Sequence, residues 1–205
     1  MIGLPTETME DVKGIAELAG KVLDVYFAIP KEERAKNINI TVSTSSFVPK
    51  PFTAFQWEPQ DSREMIIEKQ NTLKHAITSK RIKYSWHDNK TSTLEGIFAR
   101  GDRRLCKVIV RAVEKGCKFD GWSDCFRYDL WMEAFDELGI NPGFYNARRR
   151  EFTEILPWDH IDIGVTKNFF IRECKKAYNE ETTPNCREKC AGCGAASFKT
   201  GVCYE

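Results

Sequence analysis

The chain has 205 residues, 41% hydrophobic and 30% charged, which predicts one domain or two small ones around a real core. Its 31 basic and 30 acidic residues leave a net charge of +1, so no whole-protein field favours DNA, RNA or an anionic membrane. No apolar run approaches the ~20 residues of a bilayer-spanning helix. "MIGLPTETMED" also lacks the basic and apolar regions of a secretion signal, so a cytoplasmic protein with no membrane and no DNA partner is expected.

"MIGLP" reads as the end of a buried strand entering a Gly/Pro turn. Val12, Ile15, Ala16, Ala19, Val22, Leu23 and Tyr26 then recur at helical spacing, which predicts one apolar face ending before Pro30. "NINITVSTSSFV" is rich in β-branched residues and reads as a strand. "PKPFTAFQWEPQ", with three prolines, reads as an aromatic-rich loop. Asp61 or Ser62 can cap a helix carrying Met65, Ile66, Leu73, Ala76 and Ile77, and "RIKYSW" reads as a further short strand. This alternation predicts parallel βαβ units.

From residue 91 the pattern becomes helical. "STLE" reads as a capping box between Ser92 and Glu95. Helices follow around Leu105–Ala112, Leu130–Leu138 and Phe170–Tyr178. The expected division is 1–88, 89–180 and a cysteine-rich tail at 181–205. Trp122, Trp131 and Trp158 are expected in the core, and Cys106, Cys117, Cys125 and Cys174 as small buried hydrophobes.

Without a secretion signal, the eight cysteines predict reduced thiols or metal ligands rather than disulfides. Cys186, Cys190 and Cys193 stand at C-x3-C-x2-C spacing with Cys203 beyond. Gly192 and Gly194 allow turns that aim several sulfurs at one zinc ion or iron–sulfur cluster. The competing account is a reduced tail that holds no metal. Substrate or structural candidates are His87 and Asp88 after a strand, Arg100, Asp102, Arg103 and Arg104 in "ARGDRRL", and Asp159, His160 and Asp162 in "PWDHID". Histidine can move protons near neutral pH, and arginines can grip a phosphate or carboxylate. Their structural alternatives are a loop-fixing His–Asp pair, an Asp102 cap with solvated arginines and a hydrogen-bonded turn.

The ordered set "MIGLPTETMEDVKGIAEL", "VSTSSFVPKPFTAFQW", "LEGIFARGDRRL", "GCKFDGWSD", "LPWDHIDIGV" and "CREKCAGCG" resembles a group of radical S-adenosylmethionine proteins that carry an N-terminal cobalamin-binding-type domain. The resemblance covers essentially the whole chain. It implies an α/β fold: closing βα units of a partial radical S-adenosylmethionine (β/α) barrel, then a mainly helical accessory region and a Cys-rich tail. It also implies that Gly3 and Pro5 line the cofactor face, and that the tail thiols form a feature separate from the catalytic cluster.

In that family the three cysteines holding the catalytic 4Fe–4S cluster lie upstream of the Gly-Leu-Pro turn. The resemblance therefore implies a fragment that is inactive alone, belonging to a complete enzyme that uses the cluster, S-adenosylmethionine and, through its further domain, cobalamin. The partner implied is the upstream half of the same protein or a separate chain supplying it. A rival expectation is a metal-stabilised protein- or RNA-binding module, although the balanced charge does not favour RNA.

Overall fold

A computed structural model describes residues 1–199, and Cys203 lies outside the described residues. The chain forms two compact units, Met1–Val48 with Gln60–Glu95, and Pro49–Pro59 with the residues from Gly96 onward.

In the first unit, α1 (Met9–Ala28) begins at a capping box: the Thr8 hydroxyl accepts from the Asp11 amide and the Asp11 carboxylate accepts from the Thr8 amide. β1 (Ile40–Thr44) follows. Next come α2 (Arg63–Ala76), capped by Ser62, and β2 (Ile82–Trp86). The strands are parallel, in register from Ile40 opposite Ile82 to Thr44 opposite Trp86. Ile2, fully buried, adds an isolated parallel bridge to Ser46. Three parallel segments thus lie in sequence order, joined by α1 and then α2.

Both helices pack on one sheet face. Val12 and Ala16 of α1 and Leu73 of α2 enclose Val42 and Tyr84, while Ala19 and Leu23 close over Ile40 and Ile82. Each fully buried aliphatic side chain there contributes roughly 1.5–3 kcal/mol. The two-residue strand period sends Thr41, Ser43, Lys83 and Ser85 to the other face, where all four are exposed. The predicted α1 face needs one correction. Val22 is 48% exposed and, with Leu18, Val25 and Ile29, belongs to a second apolar stripe.

α3 (Asn89–Ala99) starts within the first unit and ends within the second. Ser92 does not cap it. Asp88 does, because its Oδ1 accepts from the Thr91 amide at 2.9 Å, and the Ser92 hydroxyl instead donates to the Asp88 carbonyl. In the second unit, α4 (Leu105–Glu114) packs against α5 (Tyr128–Glu137), and α6 (Gly143–Asn146) and α7 (Lys167–Tyr178) follow. A 3-10 turn at Ala195–Phe198 follows the cysteines. Trp57, Leu156, Trp158, Phe170 and Cys174 form a core, with Phe52, Phe55 and Phe152 packed against it.

The α/β class read from the sequence is thus present, with a two-stranded parallel sheet and seven α-helices among the described residues. Trp131 and Trp158 are buried as expected, whereas Trp122 is 64% exposed in the turn before α5. Cys117 and Cys174 are buried, but Cys106 is exposed on the outer side of α4 and Cys125 only half-buried. No helix among the described residues is long and apolar enough to cross a membrane.

Candidate functional site

The "GLPTET" turn owes its shape to its own side chains. Gly3 is buried at φ +88°, and a Cβ there would stand 2.9 Å from Ile66 Cδ1 and 3.3 Å from Asp61 Oδ2. Only glycine adopts that conformation in that space without strain. The Gly3 amide donates to Glu7 Oε1 at 2.7 Å, and Glu7 in turn meets Lys69 Nζ at 2.9 Å. Lys69 also reaches Asp61 Oδ2 at 2.7 Å. Packing and this buried ion triad account for Gly3, while Pro5 is half-buried in the same turn.

His87 follows β2, where its amide donates to the Thr44 carbonyl and its carbonyl accepts from Gln70 Nε2. Its ring is exposed, and the neighbouring Asp88 is committed to capping α3.

The three arginine candidates separate. Arg100 is fully buried, and its guanidinium donates to the carbonyls of Glu58, Asn146 and Arg148. Burial, with the nearby charges of Arg150 and Arg148, pulls its pKa down to about 9. Arg103 and Arg104 lie at the surface, where Arg104 forms a forked pair with Asp102 and holds that carboxyl below its usual range. Tyr145 donates to Asp102 at 3.4 Å. Asp102 and Arg103 share with His160 a cavity of about 670 Å³, walled also by Leu156 and Pro157. The structure therefore brings together three residues, from two separate motifs, that the sequence singled out.

The "PWDHID" segment is a hydrogen-bonded turn. Asp159 Oδ2 accepts from the Leu156 amide at 2.9 Å and from Lys167 Nζ at 2.7 Å, and Asp162 Oδ1 accepts from the Gly164 amide at 2.8 Å. His160 is exposed on this turn and also lines a second cavity, of about 280 Å³.

Sequence reasoning missed the buried polar residues of the Pro-rich loop. Glu58 is 2% exposed, pairs with Arg149 at 3.1 Å and takes a long contact from the Cys174 thiol at 3.9 Å. Burial, reinforced by Glu58, pushes the Cys174 thiol up to about 11. The Tyr178 hydroxyl rises to about 12 for the same reasons. The alternation Gln56, Glu58, Gln60, all buried, was the available signal.

In the tail, Cys186 and Cys190 are exposed, Cys193 is half-buried, and all three are free thiols. The Gly192 amide donates to Cys190 Sγ and the Ala195 amide to Cys193 Sγ, each at 3.4 Å. The thiolate is the form of cysteine that binds metal. The turn docks on the start of α7: the Thr166 amide donates to the Cys193 carbonyl, and Arg172 to the Ala191 carbonyl. Gly194, at φ +106°, lies so close that a Cβ would meet Thr166 Cγ2 at 2.9 Å. The donor chemistry at Cys190 and Cys193 fits a thiolate-bound metal. Among the described residues, however, no three His, Cys, Asp or Glu side chains converge on one point.

No family model matches the chain. It is similar to an uncharacterised protein of Methanocaldococcus jannaschii, MJ0966, at 29% identity over 140 residues. The match covers 68% of this chain and only 29% of that relative's length. No solved structure matches.

Proposed function

We propose that this chain is the C-terminal portion of a radical S-adenosylmethionine enzyme. On this reading the first unit supplies closing βα units of the barrel, and the second unit is a helical accessory region. The observation that carries it is the winding of the first unit. Its three parallel segments follow sequence order with both helices on one face, and the small polar residues Thr41, Ser43 and Ser85 with Lys83 lie on the other. A barrel puts its helices outside and its strand ends toward the ligand in this way. A relative much longer than the matched region supports the further half, whether that half is covalently upstream or a separate chain.

The 4Fe–4S cluster, held outside this chain, would supply the electron that cleaves S-adenosylmethionine to a 5′-deoxyadenosyl radical. The residues of this chain then shape the barrel end: Glu7 and Lys69 hold the Gly3–Pro5 turn, and the Thr41–Ser43 and Lys83–Ser85 faces line the interior. A cobalamin-binding domain would also belong to the missing half. Cys190 and Cys193, with Cys186 and Cys203, would hold zinc or an auxiliary iron–sulfur cluster in the tail.

Two measurements test this. The complete protein, reduced anaerobically with dithionite, is expected to form 5′-deoxyadenosine from S-adenosylmethionine, and this chain alone none. A complete protein that forms none refutes the reading. Iron, zinc and sulfide analysis of this chain beside a Cys190→Ala, Cys193→Ala variant tests the tail. Metal lost in the variant supports the ligand assignment, and a chain that holds no metal sinks it. Zinc without iron or sulfide would make the tail a structural clip and leave catalysis to the upstream half.

A further inference from the structure

Gln56 is 3% exposed, yet only half of its side-chain amide is committed. Its Oε1 accepts from Trp158 Nε1 at 2.6 Å and from the Phe52 amide at 3.0 Å. Its Nε2 makes no hydrogen bond to any described residue, and the side chain lines the cavity of about 280 Å³. A donor that faces a cavity with no protein partner is open to an acceptor that arrives from outside.

The same cavity receives the N-terminus of α7 through Thr166 and Lys167. Thr166 Oγ1 accepts from the Phe169 amide, which leaves the Lys167 and Asn168 amides at the positive end of the helix dipole. No acidic side chain stands in that first turn. Carboxylates supply another part of the wall. Asp159 spends Oδ2 on the Leu156 amide and on Lys167 Nζ at 2.7 Å, Asp162 spends Oδ1 on the Gly164 amide, and each keeps its other oxygen. Phe52, Val165 and Phe170 form the apolar wall.

Charge decides the ligand class. Lys167 and Asp159 are paired with each other, so a simple anion would face the uncompensated Asp162 and a simple cation would face the α7 dipole. A molecule carrying both charges satisfies both sets. The volume falls just below the roughly 300–1,000 Å³ of ordinary small-molecule pockets, which restricts the occupant to a small solute. We propose that this cavity binds a small α-amino acid as its zwitterion. The carboxylate meets Gln56 Nε2 and the α7 amides, the ammonium meets Asp159 and Asp162, and an aliphatic side chain lies on Phe52, Val165 and Phe170. The proposal does not depend on the radical chemistry above.

The test uses the chain itself with three probes: L-leucine, 4-methylpentanoate, which lacks the ammonium, and isopentylamine, which lacks the carboxylate. Amide NMR titration is expected to show saturable shifts at the Gln56 side chain, Lys167 and Asn168 with L-leucine. Each half-ligand is expected to bind at least about tenfold more weakly, a difference of about 1.4 kcal/mol. Gln56→Glu keeps an oxygen for Trp158 and Phe52 but replaces the donor, and should weaken L-leucine by a similar factor. Asp162→Asn, at an exposed position, should weaken L-leucine without weakening 4-methylpentanoate, while its amide spectrum shows that the fold is retained. Absence of saturable binding overturns the proposal. So does 4-methylpentanoate or inorganic phosphate binding as tightly as L-leucine, which would make the cavity an anion site only.

Discussion

Lys69→Met tests whether the buried ion triad holds the Gly3–Pro5 turn. The Lys69 side chain is 6% exposed, and its ammonium lies 2.9 Å from Glu7 and 2.7 Å from Asp61, whose side chains are 7% and 29% exposed. Removing one member of a buried pair costs roughly 3–5 kcal/mol, because the remaining charge stays out of water without a partner. Water can reach Asp61, and Glu7 keeps the Gly3 amide, so the lower end applies, about 3 kcal/mol. In a chain of this size that lowers the melting temperature by roughly 6–12 °C.

Urea unfolding followed by circular dichroism reads the loss, and amide hydrogen exchange locates it in the first unit. Lys69→Met combined with Glu7→Gln should cost less than the sum of the single changes, since the buried carboxylate is then neutral. The pH dependence has a definite sign. Burial alone would lower the Lys69 pKa, but its bonds to Asp61 and Glu7 outweigh burial and raise it above the usual 10.5. The stabilisation is therefore complete below about 10.5 and fades as pH climbs through the raised value. A loss under about 1 kcal/mol, or a double variant costing the full sum, would refute the role given to the triad.

Gly3→Ala should destabilise the first unit by roughly 1–3 kcal/mol, read in the same urea titration, because a positive φ and a 2.9 Å approach to Ile66 must both be tolerated. Brief alkylation with iodoacetamide followed by mass spectrometry should mark Cys106 first, with Cys186 and Cys190 joining it once a chelator has stripped the tail of metal. Cys117 and Cys174 should be spared, since both are buried and burial raises both thiols. Glu154, bonded to Arg148 at 2.5 Å, has a carboxyl held below its usual 4.5, so its stabilisation is present above 4.5 and lost as pH falls through the lower folded value. Glu154→Gln should accordingly flatten the acid side of the stability profile, and an unchanged acid side would count against the pair.

The regular elements were legible because their periods are local. The repeat from Val12 to Leu23 and the β-branched run at Ile40–Thr44 marked α1 and β1 without any knowledge of partners. Val22 was misplaced because α1 carries two apolar stripes, and periodicity cannot say which one meets the sheet. The α3 start was misread because Asp88 with Thr91 and Ser92 with Glu95 are competing caps a few residues apart, and the earlier acceptor prevailed. Arg100 was opaque for a different reason. Its partners lie 42, 46 and 48 residues away, and nothing near it in sequence distinguishes a buried guanidinium from a solvated one.

The described residues of the second unit form no sheet, and that buried guanidinium explains how they manage without one. Much of its interior is irregular chain, and each buried carbonyl there needs a donor that no ladder supplies. Side chains take that place. Arg100 serves Glu58, Asn146 and Arg148, Arg150 serves Arg100, and Lys167 serves Glu154. An arginine suits the task because its planar fork reaches several carbonyls at once, which a lysine at position 100 would not do. The same donors fix the loops that line the two cavities, since Lys167 ties α7 to the Glu154 carbonyl and to Asp159. Loops pinned in this way can hold Gln56 and the α7 amides at a constant geometry, which is what recognition of a small solute requires of them.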